Sequence, residues 1–192
     1  MSSPVADLLA GVGRALASAG VRWFLFGAQA AIVHGASRLT ADVDVTVDPA
    51  GRSNADLVDS LRREGFSLRV TDVDDFVDRT RVLPLVHEPS GILCDVVLAG
   101  PGIEELFFER ASLCDVGGVR VPVVAADDLV AMKILAGRPK DLDDVLAVVR
   151  TQGGSLDLGR ARATLGMLER ALDRRDLLPN LEAAIARARR AP

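Results

Sequence analysis

The chain has 192 residues, of which 49% are hydrophobic and 26% charged, with 9 Pro and 17 Gly. That is the balance of a packed globule, with length for one sizeable domain or a core plus a helical appendage. The net charge of -4 disfavours a broad electrostatic footprint for nucleic acid and confines any RNA contact to a local patch.

The first twenty residues lack a basic stretch followed by an uninterrupted apolar one, and no apolar run approaches the ~20 residues of a membrane-spanning helix. A cytoplasmic location without membrane partners is expected. Cys94 lies within an apolar run and Cys114 near a second, so both read as buried small hydrophobes and not as a disulfide framework.

Apolar positions at helical spacing (Leu8, Leu9, Val12, Leu16) predict a helix from about Val5 to Ser18, ended by Ala19-Gly20. Arg22 to Phe26 reads as a short strand, Gly27 as a sharp turn, and Ala28 to His34 as a small-residue helix stopped by Gly35. Asp42 to Asp48 alternates strictly, with the valines on one face and Asp42, Asp44 and Thr46 on the other. A helix over Asn54 to Glu64, a strand over Phe66 to Val70 and a short helix over Val73 to Asp78 follow. Arg81 to His87 and Ile92 to Leu98 form a strand pair joined by a turn at residues 88–91. Pro101 is read as opening a helix with Glu104 and Glu105 in its first turn and Arg110 in its last, as the helix dipole favours. Two short strands flank Gly117-Gly118. From Asp127 the chain turns helical, with stops near Gly137, Gly153-Gly154 and Asp173 to Asp176.

In that helical tail, Leu158, Ala161, Leu165, Leu168 and Leu172 make one stripe. Leu177, Leu181, Ala184, Ile185 and Ala188 make another, which predicts a helical hairpin. Arg187, Arg189 and Arg190 read as a solvated end. The expected organisation is a mixed α/β core over residues 1–125 and a C-terminal helical region over 126–192.

Side chains two apart on a strand point the same way, so Asp42 and Asp44 can converge on one cation, about 7 Å apart at their Cα atoms. Two such charges repel unless something positive neutralises them. Magnesium takes a few carboxylates and completes its shell with water and phosphate oxygens, which suits an Asp-x-Asp strand; a solvated polar face is the other reading. Asp95 interrupts a run that is apolar on both faces, hence a central buried strand, where an unpaired carboxylate costs several kcal/mol. It is therefore protonated, paired with a base such as arginine, or bound to metal.

Lys133 is the sole charge among the apolar positions from Leu129 to Ala136 and points to the core side. It either snorkels to the surface or reaches nucleotide phosphates. Lys140 and Asp141 follow Gly137-Arg138-Pro139, where acids can cap a helix or face a site.

Taken together, the strand Trp23-Phe24-Leu25-Phe26, Gly27-Ala28, a spacer, Asp42-Val43-Asp44 and a later lone strand acid, Asp95, resemble the DNA polymerase β-like nucleotidyltransferase superfamily. The wording Phe26-Gly27-Ala28-Gln29-Ala30-Ala31-Ile32-Val33-His34-Gly35, then Arg38-Leu39-Thr40-Ala41-Asp42-Val43-Asp44, looks closest to small AbiEii-like and related nucleotidyltransferases. The segment Ala131 to Val145 is similar to their downstream helix motif. One departure is Ala28, where many members place Ser or a second Gly; a hydroxyl contact to phosphate is lost, while backbone N–H groups of the Gly27 turn can still cradle an anion.

The resemblance implies a nucleotidyltransferase fold, α/β (α+β), with a mixed central sheet flanked by helices and a C-terminal helical tail. It further implies an enzyme that moves a nucleoside monophosphate from a nucleoside triphosphate to a hydroxyl, releasing pyrophosphate. Two Mg2+ ions, or Mn2+, would be held by Asp42, Asp44 and Asp95. Gly27, Ala28, Arg38, Thr40, Lys133, Lys140 and Asp141 would contact the nucleotide. The acceptor would be an RNA end or a protein, in a toxin with a cognate antitoxin; an aminoglycoside acceptor is the alternative. A non-catalytic, antitoxin-type binding module of the same fold is the competing class, and retention of all three acids argues against it.

Overall fold

A computed structural model describes residues 3–190. The chain divides into two compact units, one comprising the residues up to Gln29 with Thr40–Val124, the other Ala30–Leu39 with the residues from Ala125 onward.

The first unit is built on a seven-stranded mixed sheet. In chain order its strands are β1 (Trp23–Phe26), β2 (Asp42–Val47), β3 (Phe66–Leu68), β4 (Val82–His87), β5 (Ile92–Leu98), β6 (Ser112–Val116) and β7 (Val119–Val123). Across the sheet they run β3-β4-β5-β2-β1-β7-β6. β2 pairs antiparallel with β1 and parallel with β5, so it has a hydrogen-bonded neighbour on each side. β1 pairs parallel with β7, whereas β4 pairs antiparallel with both β3 and β5. This is the mixed central sheet that the resemblance implies.

Period-two patterning sets which face is buried. Val43, Val45 and Val47 of β2, Leu83 and Leu85 of β4, and Cys94 and Val96 of β5 are fully enclosed. Helix α1 (Pro4–Ala19) buries Leu8, Leu9, Val12 and Leu16 and packs on β7 and on α3 (Asn54–Arg62). Its ends are chemically marked. The Ser3 hydroxyl accepts from the Ala6 N–H, Pro4 opens the first turn, and Gly20 closes the helix in the left-handed region at φ 68°. A capping box between Ser53 and Asp56 starts α3.

Two expectations need correcting here. Pro101 lies outside its helix, which runs Ile103–Arg110 and is preceded by Gly102 at φ 123°, a conformation that a side chain rarely adopts. Cys94 is buried as expected, but Cys114 is only half-buried because β6 is an edge strand of the sheet. Both thiols are free.

The second unit is helical. Its members are α6 (Ala126–Ala136), α7 (Pro139–Gln152), α8 (Leu158–Leu172) and α9 (Leu177–Arg190), with a 3-10 turn at Gly153–Ser155. Val130, Ile134, Val145, Val148, Val149, Leu165, Leu181 and Ile185 form one shared core. The predicted stripes pack into it, except that Leu172, the last residue of α8, is half exposed. Among the described residues no helix is long and apolar enough to cross a membrane.

Gly35 shows how tightly the second unit is closed. At φ 109°, a Cβ there would lie 2.3 Å from Thr151 Cγ2, while the Thr151 hydroxyl donates to the Gly35 carbonyl at 3.3 Å. Gly35→Ala should cost roughly 1–3 kcal/mol through backbone strain and overpacking, measured by denaturant unfolding. Adding Thr151→Ala removes the Cγ2 and Oγ1 clashes but keeps a Cβ 2.6 Å from the new methyl, so the double variant should regain at most part of the steric loss and still unfold below the parent.

Candidate active site

The first unit places three acids on one open face of its sheet. Asp44 on β2 and Asp95 on β5 are direct register partners across a parallel strand pair, and Asp42 pairs with Leu93 one step along the same face. Adjacent strands stand about 4.8 Å apart, so Asp44 and Asp95 are closer to each other than either strand could achieve alone. Asp42 accepts a short hydrogen bond from the Thr40 hydroxyl. Asp95 is paired with Arg69 Nη2, and the two side chains are 35% and 33% exposed.

The arginine-paired alternative for Asp95 is thus the observed one. Its strand is internal to the sheet but not closed on both faces, since Leu93, two residues before it, is 39% exposed. Hydrophobicity alone overstated the burial, because Leu93 and Val97 share the open face with the carboxylate. Arg69 was missed from the sequence. Its only local signal is its position directly after β3, and the chain reversals that bring it across β4 to Asp95 are tertiary.

The Gly27 turn lies against the same carboxylates. Gly27 has φ 67°, and a Cβ on it would fall 2.0 Å from Asp44 Oδ2, so glycine is demanded twice, by conformation and by room. Helix α2 (Gly27–Val33) starts at this turn, and Ala28 is buried. Burial pushes the Cys94 thiol well above its usual range, with Asp95 and Asp44 adding to the effect, so it is no nucleophile at neutral pH.

The donor set suits magnesium: hard carboxylate oxygens on one face, with Asp44 packed directly against the Gly27 turn. As the side chains stand, no group of three His, Cys, Asp or Glu among the described residues is gathered closely enough to hold a metal ion. Asp42 and Asp95 are turned to Thr40 and Arg69 instead.

The other expected residues lie in the second unit. Lys133 on α6 is buried, and its Nζ donates to Asp141 at 3.0 Å and to Asp144 at 2.7 Å, both on α7. Arg138 also bonds to Asp141, and Arg38 Nη1 donates to Asp144 at 2.9 Å. Lys133 therefore does not snorkel to solvent. Three cations and two carboxylates form a continuous network in which Lys133 and both acids are enclosed while the arginines reach the surface, and Asp144, which the sequence reading passed over, is its second hub. Lys140 is exposed and lines a shallow hollow with Ser37, Arg38 and Asp143.

Burial alone would raise the Asp141 carboxyl; hydrogen bonds from Arg138 and then Lys133 overcome this and hold it below the ordinary carboxylate value.

The profile of a family described as "Nucleotidyltransferase of unknown function (DUF6036)" matches residues 16–166. No curated protein matches the chain in sequence. Among solved structures, the antibiotic-resistance factor ANT(2'')-Ia in solution is similar at 11% identity and TM-score 0.62, covering 90% of this chain and 95% of that one. A crystal structure of ANT(2'')-Ia in complex with adenylyl-2''-tobramycin is similar at 12% identity and TM-score 0.58, covering 88% and 99%. An antigenic nucleotidyltransferase-like protein from Paracoccidioides brasiliensis is similar at 16% identity and TM-score 0.56, covering 97% and 94%. At such identities the likeness is one of fold.

Lys133→Met should destabilise the protein by about 3–5 kcal/mol, because it strands two buried carboxylates on fewer cations. Sequence patterning alone would have forecast no loss, so chemical denaturation of this variant separates the two views. The depressed Asp141 carboxyl also fixes the sign of a pH effect. Its contribution to stability is complete above the unfolded carboxyl pKa of about 3.9 and is lost as pH falls through the lower folded value. Melting temperature should therefore drop below about pH 4 more steeply in the parent than in Asp141→Asn.

Proposed function

The chain belongs to this family of nucleotidyltransferases of unknown function, and from that premise we propose that it transfers a nucleoside monophosphate from a nucleoside triphosphate to an acceptor hydroxyl in a divalent-cation-dependent reaction. The observation that carries the reading is the register pairing of Asp44 with Asp95, on the face that also bears Asp42 and against the Gly27 turn.

Asp42, Asp44 and Asp95 would hold Mg2+, which when bound supplies charge neutralisation for the triphosphate and a Lewis acid at the reacting phosphorus. The residues of the chain do the rest. Backbone N–H groups at the start of α2 favour an anion, and the missing Gly27 side chain lets the Asp44 carboxylate pack against this turn. Thr40 orients the Asp42 carboxylate through its hydroxyl. Asp95, once turned from Arg69, would accept the acceptor's hydroxyl proton as the acceptor oxygen bonds to the α-phosphorus. The bond from that phosphorus to the bridging oxygen breaks, and pyrophosphate leaves with the electron pair.

Lys133, Asp141 and Asp144 hold the helices of the second unit together. Lys140 is exposed and Arg38 half-buried along one hollow of that unit, and we propose this pair as its anion-facing cations. An RNA end or a protein, as in AbiEii-like toxins, is one acceptor class. A cationic aminoglycoside is the other, favoured by the fold shared with ANT(2'')-Ia and compatible with the acidic open face and net negative charge.

Calorimetry should show nucleoside triphosphate binding with Mg2+ and little without it, since three carboxylates otherwise face the phosphates. Equal affinity in both conditions would overturn the reading. Labelled triphosphates offered with RNA, protein or aminoglycoside should mark one acceptor class, and Asp44→Asn should reduce that labelling by orders of magnitude while the protein stays folded.

A further inference from the structure

We propose that Arg69 is a displaceable counter-ion, occupying Asp95 in the metal-free protein and setting how tightly the carboxylate face takes a divalent cation. The inference rests on the metal-binding reading above and concerns a residue that neither family likeness nor sequence pattern singles out.

Three contacts fix the arginine. Its backbone N–H donates to the Pro84 carbonyl at 2.9 Å, its Nε donates to the Leu85 carbonyl at 3.1 Å, and its Nη2 reaches Asp95. Pro84 is the β4 residue in register with Asp95, so the arginine is led across β4 directly to the acid. Only one nitrogen engages the carboxylate, and the Leu85 carbonyl holds the guanidinium independently. Asp95 can therefore turn away without leaving the arginine unbound. Both side chains are about one-third exposed, so the pair is open to exchange with ions from solvent and is not a buried lock.

The electrostatics explain why such a cation is needed. Asp95 stands in register with Asp44, and Asp42 lies on the same face, so a positive charge on Asp95 lowers the repulsion that the empty face would feel. A divalent cation offers the same neutralisation more strongly, but it has to compete for Asp95 and then tolerate a guanidinium nearby. Removing Arg69 should tighten divalent binding, although it removes a contact from the folded protein. A purely structural ion pair predicts the same lost contact with no gain in metal affinity.

The test is Mn2+ binding to the purified protein, followed by electron paramagnetic resonance of the free ion, without nucleotide or acceptor. Arg69→Met should bind Mn2+ at least about tenfold more tightly than the parent. It should also melt lower than the parent without metal and gain more from added Mn2+. Should Arg69→Met fail to fold, Arg69→Gln, which keeps a donor for the Leu85 carbonyl, serves the same comparison. Affinity unchanged or weakened in the arginine variant, with parent binding abolished by Asp44→Asn, overturns the role of Arg69 and leaves the metal site standing. If neither parent nor variant binds Mn2+, the metal-binding reading falls, and this inference with it.

Discussion

Two carboxylates in register on neighbouring parallel strands repel each other, and the geometry of the first unit answers that repulsion. Asp44 and Asp95 are held side by side by the β2–β5 ladder, whose pairing runs through six residues of β2, so neither can retreat without breaking a central part of the sheet. The valines of β2 fix this register. Slipping the strand by one residue would turn Val43, Val45 and Val47 to the open face and drive the acids into the core. Hydrophobic burial on one face thus forces charge together on the other. Arg69, Thr40 and the glycine at position 27 are the local responses: a counter-ion, a hydroxyl donor and the omission of a side chain.

The second unit solves a different charge problem in a different dielectric setting. There Lys133, Asp141 and Asp144 lie within an apolar helical core, where a charge without a partner costs far more than at the sheet face. The network is complete on both sides: each carboxylate meets Lys133 and one arginine, and both arginines emerge toward solvent. Such networks fix the mutual registry of helices more than they add stability, because desolvation offsets most of the Coulomb gain. At the sheet face the charges stay hydrated and exchangeable, which suits a surface that takes and releases ions.

The two settings also explain why similar residues invite different roles. Arg69 and Arg138 each bond to an aspartate, yet Asp95 is one-third exposed and Asp141 is enclosed. Exchange at the first exposes nothing new to an apolar medium. Exchange at the second would leave Asp141 dependent on Lys133 alone.

The sequence by itself determined the strand that bears Asp42 and Asp44, the turn at Gly27, and the helical stripes that include Leu181 and Ile185. These follow from periodicity and from backbone conformations that few residues tolerate, both of which act over a few neighbours. What the tertiary structure alone decided was who neutralises whom. Asp95 looked enclosed because Leu93 and Val97 are apolar, but exposure depends on what covers a face, and nothing local reports that. Arg69 lies 26 residues from Asp95 in the chain, and Arg38 lies 106 from Asp144. Lys133 does not reach solvent as a snorkelling lysine would, because its partners come from the next helix. Pairings of this kind carry no period and no spacing, since they are set by the free energy of placing a charge beside its partner only after the chain has folded back on itself.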